Sequence, residues 1–143
     1  MRLARGRRWF LTVSMAMLVA TSANAQAPDA SLSGNFLPAV LAASEPHRES
    51  LQALIKGKPG TPFWLRNMVR QPRYVALASK KVDVAGKPMQ LFEACEAKRC
   101  DDSRVRVLYS ADGKRAVLRI SDSKLGEKLF GEPSIGELRA LGL

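Results

Sequence analysis

Arg104-Val105-Arg106-Val107-Leu108-Tyr109-Ser110-Ala111-Asp112-Gly113-Lys114-Arg115-Ala116-Val117-Leu118-Arg119-Ile120 is the stretch on which the fold turns. Two runs rich in Val, Leu, Ile and Tyr flank Asp112-Gly113, a pair suited to a two-residue primed turn, so strands are predicted over Arg104–Tyr109 and Arg115–Ile120. With that loop, Tyr109 faces Ala116, Val107 faces Leu118 and Val105 faces Ile120, and this side is expected to meet the core. The other side sets Arg106 opposite Arg119, flanked by Arg104, and like charges directly across a strand pair repel. Two readings follow. Solvent and the domain's own Asp and Glu neutralise the arginines, or an external anionic surface does, which makes Arg104, Arg106 and Arg119 a candidate basic face.

Upstream, the period-two pattern predicts strands over Tyr74–Ala78, Val82–Val84 and Met89–Glu93, with Ala85-Gly86 as a turn. Before Pro72 the pattern is helical. Phe36, Leu37, Val40 and Leu41 define a short first helix. Ser44 is placed to cap a second, with Pro46 in its first turn, Leu51, Leu54 and Ile55 on one face, and Gly57 and Pro59 stopping it. His47, the one histidine, is expected to be solvent-exposed at the start of this helix. Thr61–Arg70 suits a helical turn that packs Trp64 as an anchor. Ser134-Ile135-Gly136-Glu137 has capping-box spacing, with Leu138 and Leu141 as the apolar side of a terminal helix. Gln26–Gly34 reads as a loose lead-in. Short helices followed by hairpin strands and a terminal helix, with no internal repeat, read as a single mixed domain.

With 143 residues, 46% of them hydrophobic, the chain fits one domain with a modest core, and neither a disordered charged tail nor a multidomain enzyme. Its net charge of +10 is unevenly placed. Arg2, Arg5, Arg7 and Arg8 precede an apolar run, Phe10–Ala20, which falls short of the roughly 20 residues needed to span a bilayer. Ala23-Asn24-Ala25 offers a cleavage site. Residues 1–25 are therefore predicted to be a signal peptide, leaving a mature domain of residues 26–143 in the periplasm with no membrane anchor. Arg7-Arg8-Trp9-Phe10-Leu11 is similar to a twin-arginine signal, and the reading favours the general secretory route over it. The leader takes four arginines and no acid, so 19 basic and 13 acidic residues remain, a net +6. Export takes the domain away from nucleic acid, so no nucleic-acid partner is expected, whatever the sign of the charge.

Cys95-Glu96-Ala97-Lys98-Arg99-Cys100 is the most distinctive local motif. Two cysteines separated by four residues in an exported protein should oxidise, closing a small ring. A rigid loop loses little conformational entropy on binding, which favours recognition, although a purely structural clip stays open as the alternative. The spacing is not that of a thioredoxin-like redox pair, and no Cys or His lies near enough in sequence to complete a zinc site. No nucleophile–base pair or phosphate-cradling glycine loop stands out, so neither catalysis nor a cofactor or metal is expected.

Trp64, Tyr74-Val75-Ala76 after Pro72, Gly86-Lys87, the two cysteines four apart and Ser110-Ala111-Asp112-Gly113 together resemble the family of inhibitors of vertebrate lysozyme (Ivy) of the bacterial periplasm. The resemblance runs over roughly residues 36–121. It implies an α+β fold with a central antiparallel sheet flanked by short helices, in a single domain with a protruding disulfide loop that enters a lysozyme cleft; dimers are known in the family, so a homodimer is among its implications. The family loop reads Cys-Lys-Pro-His-Asp-Cys, its histidine lying between the two catalytic carboxylates. Here Cys95 and Cys100 keep the ring, while Glu96, Ala97, Lys98 and Arg99 stand for Lys, Pro, His and Asp. The chain thus resembles a divergent paralogue without the loop histidine. The implied function is a non-enzymatic binding module whose loop residues Glu96, Ala97, Lys98 and Arg99 engage a protein partner, a c-type lysozyme or a bacterial lytic enzyme. The alternative is an envelope scaffold that holds an anionic partner on the basic strand face.

Overall fold

A computed structural model describes residues 31–143; the segment predicted as a leader and its expected cleavage site lie outside the described residues. Three short helices come first: α1 (Leu37–Ala43), α2 (Glu45–Ile55) and α3 (Phe63–Arg66). Six strands follow: β1 (Tyr74–Ala76), β2 (Lys80–Val84), β3 (Lys87–Glu96), β4 (Ser103–Ser110), β5 (Ala116–Asp122) and β6 (Gly126–Phe130). Helix α4 (Ile135–Ala140) ends the chain. The strands form one antiparallel sheet in the order β1-β3-β4-β5-β6, with β2 also paired to β3. This is the α+β class expected from the sequence.

The β4–β5 register is the predicted one, with Val105 opposite Ile120, Val107 opposite Leu118 and Tyr109 opposite Ala116. The turn that closes it is different. Only Gly113 has a left-handed backbone (φ 72°), Gly113 N–H donates to the Ser110 carbonyl at 2.9 Å, and Ser110 N–H donates to the Arg115 carbonyl at 2.9 Å. The loop therefore spans Ala111 to Lys114 rather than two residues. Local polar chemistry holds it open: the Asp112 carboxylate accepts from Ser110 Oγ at 2.7 Å and from Lys114 N–H at 3.1 Å. The primed turn sits instead at Ala85-Gly86, where both residues have positive φ (52° and 78°) and Val84 pairs with Lys87.

β1 and β2 are one edge strand interrupted by a bulge. Ala76 pairs with Ala94 and Lys80 with Leu91, so Leu77, Ala78 and Ser79 oppose only Phe92 and Glu93. The bulge receives the start of the described chain. Gly34 N–H donates to the Ser79 carbonyl, Ser79 N–H to the Asn35 carbonyl, and Lys81 N–H to Ser33 Oγ. Ser33 and Gly34, expected in a loose lead-in, are thus tied to the sheet.

Helices α1 to α3 cover one sheet face. Phe92, Ala94, Val105, Val107, Tyr109, Leu118 and Ile120 meet Leu37, Leu41, Leu51, Ile55, Trp64, Leu65 and Met68 in the main core. Each such fully buried large side chain contributes about 1.5–3 kcal/mol relative to exposure. Trp64 is the anchor expected of it, and its indole N–H donates to buried Ser103 Oγ at 2.9 Å. The other face holds a smaller apolar cluster, where α4 lays Leu141 against Val84, Met89, Leu91, Leu108 and Val117. Ser134 and Glu137 form the predicted capping box, and Glu137 also takes a bidentate ion pair from Arg115 at 2.9 and 3.1 Å. That pair ties α4 to the base of the β4–β5 hairpin.

The start of α2 also departs from expectation. His47 is buried, not exposed: its ring packs against Tyr109 at 4.7 Å and its Nδ1 lies 2.7 Å from Ser44 Oγ. Ser44 occupies the N-cap position of α2, but its hydroxyl meets the imidazole rather than a helix N–H. β6 is a strand that the sequence pattern missed. Gly126–Phe130 is exposed along most of its length and lacks the β-branched alternation of a core strand. Pairing with β5, not local preference, makes it a strand.

Candidate binding surface

β3 and β4 form a hairpin whose far end is closed by the Cys95–Cys100 disulfide, with the two Cα atoms 4.9 Å apart. Inside the ring the four expected contact residues differ in what they offer. Glu96 and Arg99 pair with each other at 2.6 Å, and Arg99 N–H also donates to the Glu96 carbonyl at 3.0 Å. Ala97 N–H donates to the Arg73 carbonyl, fastening the ring to the residue before β1. Lys98 has a left-handed backbone (φ 66°) and an exposed side chain, and among the described residues it makes no ion pair. Of two neighbouring cations, one is spent bracing the ring and the other is presented by it. An i,i+3 pairing of Glu96 with Arg99 is readable in the sequence once the ring is assumed to close as a turn.

Arg104, Arg106 and Arg119 lie together on the half of the sheet that α4 leaves uncovered, and Arg106 stands directly opposite Arg119. Their charges are answered within the chain. Arg104 pairs with Asp101 at 3.0 Å and donates to the Cys100 carbonyl. Arg106 lies 3.6 Å from Glu93 and donates to the Leu141 carbonyl at 3.2 Å. Arg119 grips Glu127 through two hydrogen bonds at 2.9 and 3.1 Å and donates to the Leu141 and Gly142 carbonyls. The carbonyls past α4 thus serve as a shared acceptor for both facing guanidiniums. Gly142 allows the close approach, because a Cβ there would strike the Arg106 guanidinium. The Arg119 contact, led by its hydrogen bonds, holds the Glu127 carboxyl below its ordinary range.

The ring and the arginine face are contiguous. One cleft of about 290 Å³ is lined by both cysteines, Arg104, Arg106, Glu93 and the side chains of Val75 and Leu77. Val75 and Leu77 are about half exposed there, an apolar element that the sequence pattern did not single out. A shallower depression of about 340 Å³ continues over Arg104, Arg119 and Ser121 to Gly142. The surface therefore combines one free cation at the ring, an apolar shelf at the sheet edge, and guanidiniums already bonded to carboxylates.

No group of three or more His, Cys, Asp or Glu side chains gathers in metal-binding range among the described residues, and none of the described helices is long and apolar enough to cross a membrane. Comparison with protein-family models and with curated proteins finds no match to this chain.

Proposed function

We propose that this chain is a non-enzymatic periplasmic binding module that engages a glycan-cleaving enzyme through its Cys95–Cys100 loop, as the resemblance to the lysozyme inhibitors implies. The observation that carries the reading is Lys98, exposed and free of any intramolecular ion pair in a ring braced by Glu96–Arg99 and the Arg73 carbonyl. Glycan hydrolases place two carboxyl groups at the scissile bond. An ammonium held between them forms charge-assisted hydrogen bonds, which are about twice as strong as neutral ones, provided the partner's carboxylates compensate for its lost hydration. Pre-organisation by the ring lowers the ordering cost.

Charge argues about the target. A domain with net +6 is repelled at long range by a cationic c-type lysozyme, so a bacterial lytic enzyme of lower charge is the better-steered partner. The scaffold reading is weaker, because Arg104, Arg106 and Arg119 are each already bonded to a carboxylate of this chain.

Turbidity assays on exported, purified protein test the proposal with one c-type lysozyme and one bacterial lytic glycosidase. Wild type should slow lysis by the second enzyme at micromolar concentration, and Lys98→Ala should weaken that effect at least tenfold. Undiminished lysis by both enzymes, or full potency in Lys98→Ala, would overturn the assignment.

A further inference from the structure

Arg48, Leu51, Gln52 and Ile55 recur at three- and four-residue spacing, so they form one stripe along α2. That stripe faces the segment Leu65–Arg70 across a cleft of about 470 Å³, on the side of the sheet away from the arginine face just described. The floor is apolar: Leu41, Leu51, Ile55, Leu65 and Met68 belong to the main core. The rim is cationic, with Arg48, Arg66 and Arg70, and the Gln52 and Asn67 amides add polar groups beside them. No Asp or Glu lines the cleft; Glu45 and Glu49 of α2 lie outside it.

The contrast with the other arginine cluster is the informative point. Arg104, Arg106 and Arg119 are each bonded to a carboxylate, whereas among the described residues none of Arg48, Arg66 and Arg70 forms an ion pair. Arg48 is nevertheless positioned, its Nη1 donating to the Leu41 carbonyl at 3.1 Å, which leaves most of its N–H groups free at the rim. Three unneutralised guanidiniums around one concavity repel each other, and an anion removes that repulsion while a neutral ligand leaves it.

We infer that this cleft is a binding site for a phosphate group carried on an apolar body. A guanidinium fork matches carboxylate and phosphate alike, but three forks outnumber the two oxygens of a carboxylate and suit the terminal oxygens of a phosphate. The cleft falls within the roughly 300–1,000 Å³ of small-molecule sites and is larger than a bare phosphate requires, so the apolar floor is available to the rest of the ligand. A soluble phosphate monoester and a phosphomonoester lipid headgroup share this chemistry. The site is independent of the lysozyme-inhibitor reading, since it uses none of the ring residues.

Calorimetric titration of the purified protein tests the site with three probes: inorganic phosphate, phenyl phosphate, and monomeric dihexanoylphosphatidic acid. At least one of the two apolar-bodied probes should bind saturably and at least tenfold more tightly than inorganic phosphate. Tighter binding of phenyl phosphate assigns the site to soluble esters, and tighter binding of the lipid assigns it to headgroups. Arg66→Gln with Arg70→Gln, both exposed positions, should cost at least tenfold in affinity without changing the thermal midpoint, whereas Lys124→Gln should change neither. Absence of saturable binding by both apolar-bodied probes at millimolar concentration, equal affinity for inorganic phosphate, or full affinity in the double variant would overturn the inference.

Discussion

Gly113 carries two constraints at once. Its φ of 72° favours glycine, and a Cβ built on it would collide with the His47 ring, which lies across the turn. Gly86 has a similar φ of 78°, but a Cβ there meets nothing within 4 Å. The two positions therefore separate backbone strain from steric exclusion. Gly86→Ala should cost about 1 kcal/mol, the ordinary penalty for an L-residue in the left-handed region. Gly113→Ala should cost at least about 2 kcal/mol more, because either the imidazole or the hairpin must move. Urea denaturation of both variants checks this difference, and equal losses would show that the ring yields freely. The glycine of the Asp112-Gly113 pair was legible in the sequence as a turn residue. Its role beneath His47 was not, because 66 residues separate the two side chains along the chain.

The β3–β4 hairpin and its disulfide form an element whose two functions can be pulled apart. Closing so small a ring restricts the unfolded chain little, so replacing both Cys95 and Cys100 by Ala should lower stability by only about 2 kcal/mol. The ladder from Met89–Ser110 to Cys95–Arg104 remains to hold the strands. What the ring supplies is the geometry of Lys98, whose left-handed backbone lies between the two cysteines. The double variant should therefore remain folded by circular dichroism yet lose the same tenfold or more in enzyme inhibition as Lys98→Ala. Inhibition that survives loss of the bridge would make the disulfide a clip. At this scale the sequence was a good guide: the strand register, the capping box and the closed ring follow from local patterns. It was a poor guide to β6 and to the β1–β2 bulge, which depend on what β5, β3 and Ser33–Asn35 pair with.

Across the whole molecule, burial and ion pairing set the pH dependence of stability. Burial holds the His47 imidazole below its ordinary value of 6.5, with Asp112 opposing this, and His47 Nε2 is buried without a partner. A group whose folded value is depressed contributes stability that is fully present above its unfolded value and is lost as pH falls toward the folded one. Burial alone would raise the Glu137 carboxyl, but the Arg115 and Ser134 hydrogen bonds outweigh it and hold it below 4.5. In Asp122 burial likewise acts upward and is outweighed by the Ser103 hydrogen bond and the Leu125 and Lys124 N–H groups, leaving it below 3.8. Thermal midpoints should thus be flat just above pH 6.5, decline as pH falls below it, and fall further below about 4.5. His47→Gln should abolish the first decline and keep the second, and an unchanged profile would remove His47 from the account.

The β4–β5 pairing and its core side were determined by the sequence alone, because alternation and turn residues act between neighbours in the chain and a slip of one residue would bury Arg106 and Arg119 in the main core. The disulfide was legible for the same reason, its partners lying within one turn of chain. Tertiary structure alone decided where charge is free. Arg99 and Lys98 are adjacent, and Arg106 and Arg66 carry the same group, yet one of each pair meets a carboxylate of this chain and the other does not. Pairing energies act through space, so which basic side chains among the described residues remain free to meet a partner is settled only when Glu93, Glu96, Asp101, Glu127 and Glu137 have been placed.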